Sequence, residues 1–281
     1  MPPGLHIVAT PIGNLGDITE RALKVLAAAD LVACEDTRVT GNLLRLLGLR
    51  AELLPYHEHN AEKMRPRILD ALAAGKTVAL VSDAGTPLIS DPGYKLVREV
   101  ADSGAPVIPV PGASALLAAL VVAGLPTDRF LFAGFPPQKA KARRDAMADL
   151  AAVPATLVFY EATHRLPESL ATMAEVFGPR PAAVCRELTK LHEEVRRAPL
   201  DALAAHYAEH GAPKGEAVVV IGPPGSGGAE AAEPDLDALL REALKNQTVR
   251  DAAATVAAAT GLKKREVYAR ALELSQDGGG P

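Results

Sequence analysis

The chain lacks any uninterrupted apolar stretch of about 18 residues, the length a helix needs to cross a bilayer. Its opening, MPPGLHIVATPIG, has neither the basic start nor the continuous apolar core of a signal peptide, so a cytoplasmic location is expected. Cysteine is scarce. Cys34 and Cys185 lie far apart beside apolar runs and are expected to be buried free thiols. At Tyr56-His57-Glu58-His59 two imidazoles stand two residues apart with no third ligand nearby, so no metal is expected. Cationic excess is also missing: 30 Lys and Arg against 34 Asp and Glu give a net charge of −4. That balance excludes a chain that is basic as a whole, while leaving local basic clusters at Lys139 to Arg144, Arg196-Arg197 and Lys263-Lys264-Arg265.

What remains is a globular composition, 48% hydrophobic and 23% charged over 281 residues, enough for one large domain or two ordinary ones. Short apolar runs alternate with segments of helical spacing. LHIVAT, LVAC, TVALVS and VIPV read as buried strands, with helices expected over 17–30, 62–74, 92–103 and 113–122. Asp17, three residues before Glu20, suggests a capping box for the first of these. Alternation of this kind implies an α/β fold with a mostly parallel sheet. A second α/β unit follows, with strands FLFAGF, TLVFYE, AAVCREL and GEAVVVIG and an extended EEVRRAP. The expected division is therefore 1–120, 121–222, a linker over 223–235 rich in glycine, proline and alanine, and three short helices over 236–276. Those helices, with Thr248 as a cap, a turn at Thr260-Gly261 and a basic start at Lys263, have the look of a helix-turn-helix. Both RNA contact and packing on a parent dimer stay open for them.

Five strand exits share an unusual chemistry: Thr10 to Asn14, Glu35 to Arg38, Ser82 to Gly93, Pro111 to Ala115 and Tyr160 to His164. In open α/β sheets the ligand crevice lies beyond the carboxyl ends of the strands, so these exits are expected to ring one site. The exit SDAGTPLISDPG has no lysine, two acids and prolines that donate no hydrogen bond, which suits it poorly to a polyphosphate. A nucleoside bearing positive charge fits better, and S-adenosylmethionine is such a molecule. Its candidate contacts are Pro11, Gly13, Asp83, Gly85, Thr86, Pro87, Ser90, Pro111, Ser114 and Ala115.

The runs VATPIGNLGDITERAL, CEDTRVTGNLL, YHEHN, ALVSDAGTPLISDPGYKLV, VPGASALLAAL, GLPTDRFLFAGFPP, YEATHRL and RELTKLHEE occur in order over about residues 5 to 222. Together they resemble the ribosomal RNA small subunit methyltransferase I family of the tetrapyrrole methylase superfamily, and the C-terminal helices resemble the tail often found there. The resemblance implies a two-domain methyltransferase with the cofactor in the cleft between domains and a homodimer as the working unit. It implies as substrate the ribose 2'-oxygen of a cytidine in the decoding region of 16S rRNA, within the small ribosomal subunit. The same fold acting on a tetrapyrrole, and a non-catalytic RNA-binding assembly factor, are the alternatives.

Transfer to a ribose hydroxyl requires alignment and a place for the proton. Glu161, Lys190 and Glu35 are the catalytic candidates, with Asp36 and Glu187 also considered. For Glu161 the competing reading is a carboxylate that holds Arg165; for Glu187 and Lys190 it is a salt bridge. Arg38, Arg143, Arg144, Arg165 and Arg186, with Lys263, Lys264 and Arg265, are expected to bind RNA, because arginine keeps its proton and favours phosphate.

Overall fold

A computed structural model describes residues 1–91, 93–225, 236–244, 247–260 and 263–277. In its first half, strands β1 (Gly4–Val8), β2 (Leu31–Cys34), β3 (Leu53–Pro55), β4 (Thr77–Val81) and β5 (Val107–Val110) form one sheet of order β3-β2-β4-β1-β5. Every pairing in it is parallel. The connecting helices are α1 (Glu20–Ala28), α2 (Thr37–Leu46), α3 (Ala61–Ala73) and α4 (Tyr94–Asp102).

Strand side chains alternate between two buried faces, so one face must take α1 and α2 and the other α3 and α4. Leu31, Ala33, Val78 and Leu80 pack with Ile68, Leu72, Leu96 and Val100 of the second helix pair. Val32, Cys34, Ala79 and Val81 pack with Ala22, Val25, Leu26 and Leu44 of the first. Each buried Val, Leu or Ile side chain among them contributes about 1.5–3 kcal/mol. The cap of α1 is not Asp17, which belongs to a 3-10 turn over Leu15–Asp17. Thr19 caps the helix instead, its hydroxyl accepting from the Ala22 amide at 3.1 Å.

The second sheet is built differently. After α5 (Ala115–Val122) come β6 (Phe130–Gly134), α6 (Ala140–Ala148), β7 (Thr156–Ala162), α7 (Leu166–Phe177), β8 (Pro181–Arg186), β9 (Glu194–Pro199), α8 (Leu200–His210) and β10 (Glu216–Ile221). The strand order is β6-β7-β10-β8-β9, and only β6 with β7 is parallel. The pairs β7/β10, β10/β8 and β8/β9 are antiparallel, so the mostly parallel arrangement describes the first sheet alone. A short β8–β9 connection permits that hairpin, whereas a parallel neighbour needs a longer crossover. Met147, Leu170, Met173, Leu200 and Leu203 of α6, α7 and α8 cover one face. The other face receives α5 through Leu116, Ala119 and Leu120, together with Ile12 from the exit of β1. The chain thus changes sheets between Val110 and Ala115, and Ile12 joins the first sheet's loop to the second sheet's core.

The C-terminal segment has α9 (Leu236–Leu244), α10 (Val249–Thr260) and α11 (Lys264–Asp277). It forms a compact unit of its own around Leu240, Ala253, Val267 and Ala271. Arg270 on α11 donates to Asp237 on α9 at 2.6–2.7 Å, and the Thr248 hydroxyl accepts from the Asp251 amide at the start of α10. Residues 226–235 of the expected linker, Pro92, Gly261 of the expected turn and the terminal GGGP lie outside the described residues. Among the described residues no helix is long and apolar enough to cross a membrane.

Candidate active site

The first sheet's parallel strands all end on one side, and short hydrogen bonds tie their exits together. Thr10 and Gly85 exchange backbone bonds of 2.9 and 3.1 Å, locking the β1 exit to the β4 exit. The Thr86 hydroxyl donates to the Ala113 carbonyl at 3.1 Å, and the Asp36 amide donates to the Asp83 carboxylate at 3.1 Å. Four loops are thereby fixed as one rim. Gly85 is required in it: at φ +80° a side chain is disfavoured, and a Cβ would stand 3.3 Å from Ile12.

Facing this rim is the second sheet, where β7 ends beside the start of β10, since antiparallel pairing sets Glu216 opposite Ala162. Between rim and strand edges lies a cavity of about 460 Å³. Its apolar wall includes Ile12, Leu188, Ala217 and Val218, and its polar wall includes Asp83 and Asp91. A second groove, of about 1010 Å³, shares Asp83, Ser90 and Asp91 with it and extends past Glu35, Asp36 and His57. Leu88 and Ser90 on the β4 exit, and Glu187 and Thr189 on the β8 exit, have positive φ without being glycine. Such strain is held only where surrounding structure enforces it, and here it concentrates on the two loops that face each other across the cavity.

The electrostatics divide the site in two. Burial pushes the Asp83, Asp91 and Glu35 carboxyls above the usual carboxylate range, and their proximity to one another and to Asp36 adds to the shift. Asp36 itself is held at about 2 by hydrogen bonds from Arg38. On the opposite side, burial pulls the Lys190 ammonium down, but hydrogen bonds of 2.8 Å to both Glu187 and Glu216 outweigh it and leave its pKa raised. Lys190 also lies against Gly13, where φ is +147° and any Cβ would overlap the lysine chain.

A family model described as Tetrapyrrole (Corrin/Porphyrin) Methylases matches residues 4–204, and one described as RsmI C-terminal HTH domain matches residues 230–275. The chain is 53% identical over 279 residues to a ribosomal RNA small subunit methyltransferase I from Mesorhizobium japonicum, covering 99% of this chain and 94% of that protein. The chain belongs to the ribosomal RNA small subunit methyltransferase I family. Solved structures share the fold at lower identity. A uroporphyrin-III-C-methyltransferase from Thermus thermophilus superposes with TM-score 0.56 at 25% identity, covering 78% of this chain and 93% of its own. A diphthine synthase does so with TM-score 0.56 at 19% identity, covering 78% and 89%. Fold alone therefore does not name a substrate, and the substrate must be argued from the site.

In this methyltransferase the cavity wall includes Asp83, Gly85, Thr86, Ser90, Ser114 and Ala115 of the expected cofactor contacts. Pro11, Gly13, Pro87 and Pro111 are not on it; Ile12 is the residue that the β1 exit turns inward. Glu35 stands in the adjoining groove, and Glu161 and Lys190 are on the cavity wall. Two of these catalytic candidates have hydrogen-bond partners within the chain. The fully buried Glu161 carboxylate accepts from Arg165 Nε at 2.9 Å, from the Ala162 amide at 2.9 Å and from the Ser169 hydroxyl, so both oxygens are occupied. The hydrogen bonds from Lys190 to Glu187 and Glu216 favour its ammonium form.

Several expected RNA ligands likewise have partners within the chain. Arg143 is 4% exposed and donates to Thr172 and to the Gln138 carbonyl. Arg165 clamps Glu161, Arg186 pairs with Glu194 at 3.1 Å, and Arg144 pairs with Glu175 on the surface. Arg38 is exposed but is paired with Asp36 at 2.6 Å. Lys263, Lys264 and Arg265 are all exposed in the helical unit. The wall residues outside the exits and candidates read from sequence are mainly Phe135, Leu188 and Gly215 to Val218, while Ile12 lies in an expected exit but was not singled out as a contact. GEAVVVIG was legible as a strand, but its place on the cavity wall was not, because that follows from an antiparallel pairing that periodicity does not encode.

Proposed function

We propose that this chain transfers a methyl group from S-adenosylmethionine to the ribose 2'-oxygen of a cytidine in small-subunit rRNA, acting in the cytoplasm as a homodimer. The observation that carries the reading is the cavity itself: the carboxylates of Asp83 and Asp91 share its wall with apolar Ile12, Leu188 and Val218. A flat purine suits the apolar wall, and an ammonium and ribose hydroxyls suit the carboxylates. The volume lies within the range of small-ligand sites, and the Gly85 backbone leaves room that a Cβ would take. Family membership supports the rRNA substrate, and the matched helix-turn-helix model with exposed Lys263, Lys264 and Arg265 supports RNA contact by the C-terminal unit. Domain limits of 1–120, 121–222 and 236–276, with 223–235 between the last two, go with the same reading.

When bound, S-adenosylmethionine supplies a methyl group already activated by its sulfonium. The chain's own work is to orient the ribose hydroxyl and accept its proton as the new bond forms. Glu35 has the properties required. It lies in the groove that adjoins the cavity, and its raised pKa makes it a stronger base than an ordinary carboxylate. Glu161 instead holds Arg165, whose Nη2 donates to the Pro136 carbonyl at 3.2 Å and so fixes the β6 exit. Lys190 ties the β8 exit to the start of β10 through Glu187 and Glu216. The reading is tested by methyl incorporation from labelled S-adenosylmethionine into unmodified small subunits, naked rRNA and a corrin precursor in parallel. Incorporation into the subunit or rRNA is the expected outcome; incorporation into the corrin alone, or none at all, rejects it.

A further inference from the structure

Phe135 is 55% exposed, a large apolar ring left in water at the end of β6. It is also on the wall of the cofactor cavity, which makes it unlike the scattered surface hydrophobics that need no explanation. The ring is held firmly. Its edge meets Tyr160 at 5.5 Å between centroids with planes 65° apart, and Tyr160 meets Phe132 at 4.7 Å in the same manner. The Tyr160 hydroxyl is pinned by the Leu116 amide at 3.1 Å, and the carbonyl of Pro136, next along from Phe135, is pinned by Arg165. Across the opening, the next loop stands close: a Cβ on Gly134 would be 3.6 Å from the Ser90 hydroxyl, and Ile89 beside it is 36% exposed.

Two apolar surfaces therefore serve one cavity. Leu188, Ala217 and Val218 are 5–7% exposed and form its interior, where the cofactor's purine fits. Phe135 sits at the opening. Unpaired bases of RNA are recognised by stacking on aromatic side chains, and a rigidly held ring loses little entropy when one does so. We infer that Phe135 is the stacking platform for the base of the target nucleotide, so that the ribose of that nucleotide is set over the opening between cavity and groove. This rests on the rRNA reading above, and it assigns to Phe135 a positioning role rather than a part in proton transfer.

The chain contains no tryptophan, so Phe135→Trp introduces a single fluorescent reporter at the platform. Stacking predicts that its emission is quenched by unmodified small subunits and unchanged by S-adenosylhomocysteine alone. In parallel, Phe135→Ala lowers kcat/KM for the subunit by about tenfold or more, within the range found for removing one stacked base, while calorimetry gives the wild-type affinity for S-adenosylhomocysteine. Phe135→Tyr restores the rate and Phe135→Leu does not. Quenching by S-adenosylhomocysteine alone, or a matching loss of cofactor affinity in Phe135→Ala, would assign the ring to the cofactor and overturn the inference. Absence of quenching by either ligand also overturns it. Wild-type protein assayed on the same subunits separates the two levels: methylation by wild type without quenching rejects the platform alone, and no methylation by wild type rejects the function on which it rests.

Discussion

Replacing Glu161 with Gln separates a structural clamp from a catalytic base. The carboxylate is fully buried, and its oxygens take donors from Arg165, Ala162 and Ser169. Removing one partner of a buried ion pair costs about 3–5 kcal/mol, because the other charge is left uncompensated. Gln keeps the shape and one acceptor oxygen, which places the expected loss at the low end, about 3 kcal/mol. At about 2–4 °C per kcal/mol for a protein of this size class, the melting temperature should fall by about 6–12 °C. Scanning calorimetry measures that shift, and single-turnover methyl transfer well below the transition, with both substrates saturating, measures the chemistry. A clamp predicts a large thermal shift with a rate within about threefold of wild type. A melting temperature close to wild type combined with a rate reduced about a hundredfold would refute the clamp and restore Glu161 as the proton acceptor.

Glu35→Gln should do the reverse, lowering single-turnover transfer about a hundredfold with little change in cofactor affinity, and the wild-type rate should fall as pH drops through the raised Glu35 pKa. Because that folded-state pKa lies above the unfolded value, Glu35 supports the fold only when protonated, and the support is lost as pH rises through the folded pKa; Glu35→Gln should therefore melt higher than wild type at pH 7 and no higher in acid, as calorimetry across pH will show. Gly85→Val, which forces a side chain at φ +80° toward Ile12, should weaken S-adenosylhomocysteine binding at least tenfold, or about 1.4 kcal/mol, by titration calorimetry. Neutralising Lys263, Lys264 and Arg265 should flatten the dependence of log K for RNA on log salt by about 0.7–0.9 for each phosphate no longer neutralised; Arg143→Ala, whose cation is internal, should lower stability and leave that slope unchanged.

The strands of the first sheet were legible because their side chains are buried on both faces, so that LVAC and TVALV appear as unbroken apolar runs between turn residues. Helix α2 and strand β3 were missed. TRVTGNLLRL has helical apolar spacing at Val39, Leu43, Leu44 and Leu46 but carries a glycine and two threonines, which weaken the helix signal, whereas LLP is three residues long and ends in proline, too short to show a period. The strand exits were readable as a ring of loops because a parallel sheet places all its carboxyl ends together. The commitments of the arginines were not readable: Glu175, Glu194 and Thr172 lie far along the chain or across a hairpin from the cations they hold, and only tertiary packing brings them within reach. The same limit hid the contacts of Glu161, for which sequence left proton acceptor and Arg165 holder as competing possibilities; in the fold its carboxylate takes donors from Arg165, Ala162 and Ser169.

The most direct test of the account is the chemical identity of the product. Unmodified small subunits are incubated with the protein and labelled S-adenosylmethionine, the rRNA is digested to nucleosides, and the label is located by mass spectrometry. The account predicts label in 2'-O-methylcytidine, lost in Glu35→Gln and retained in Glu161→Gln assayed at low temperature. Label on a nucleobase, or a methylated corrin precursor from a subunit that stays unlabelled, would contradict it.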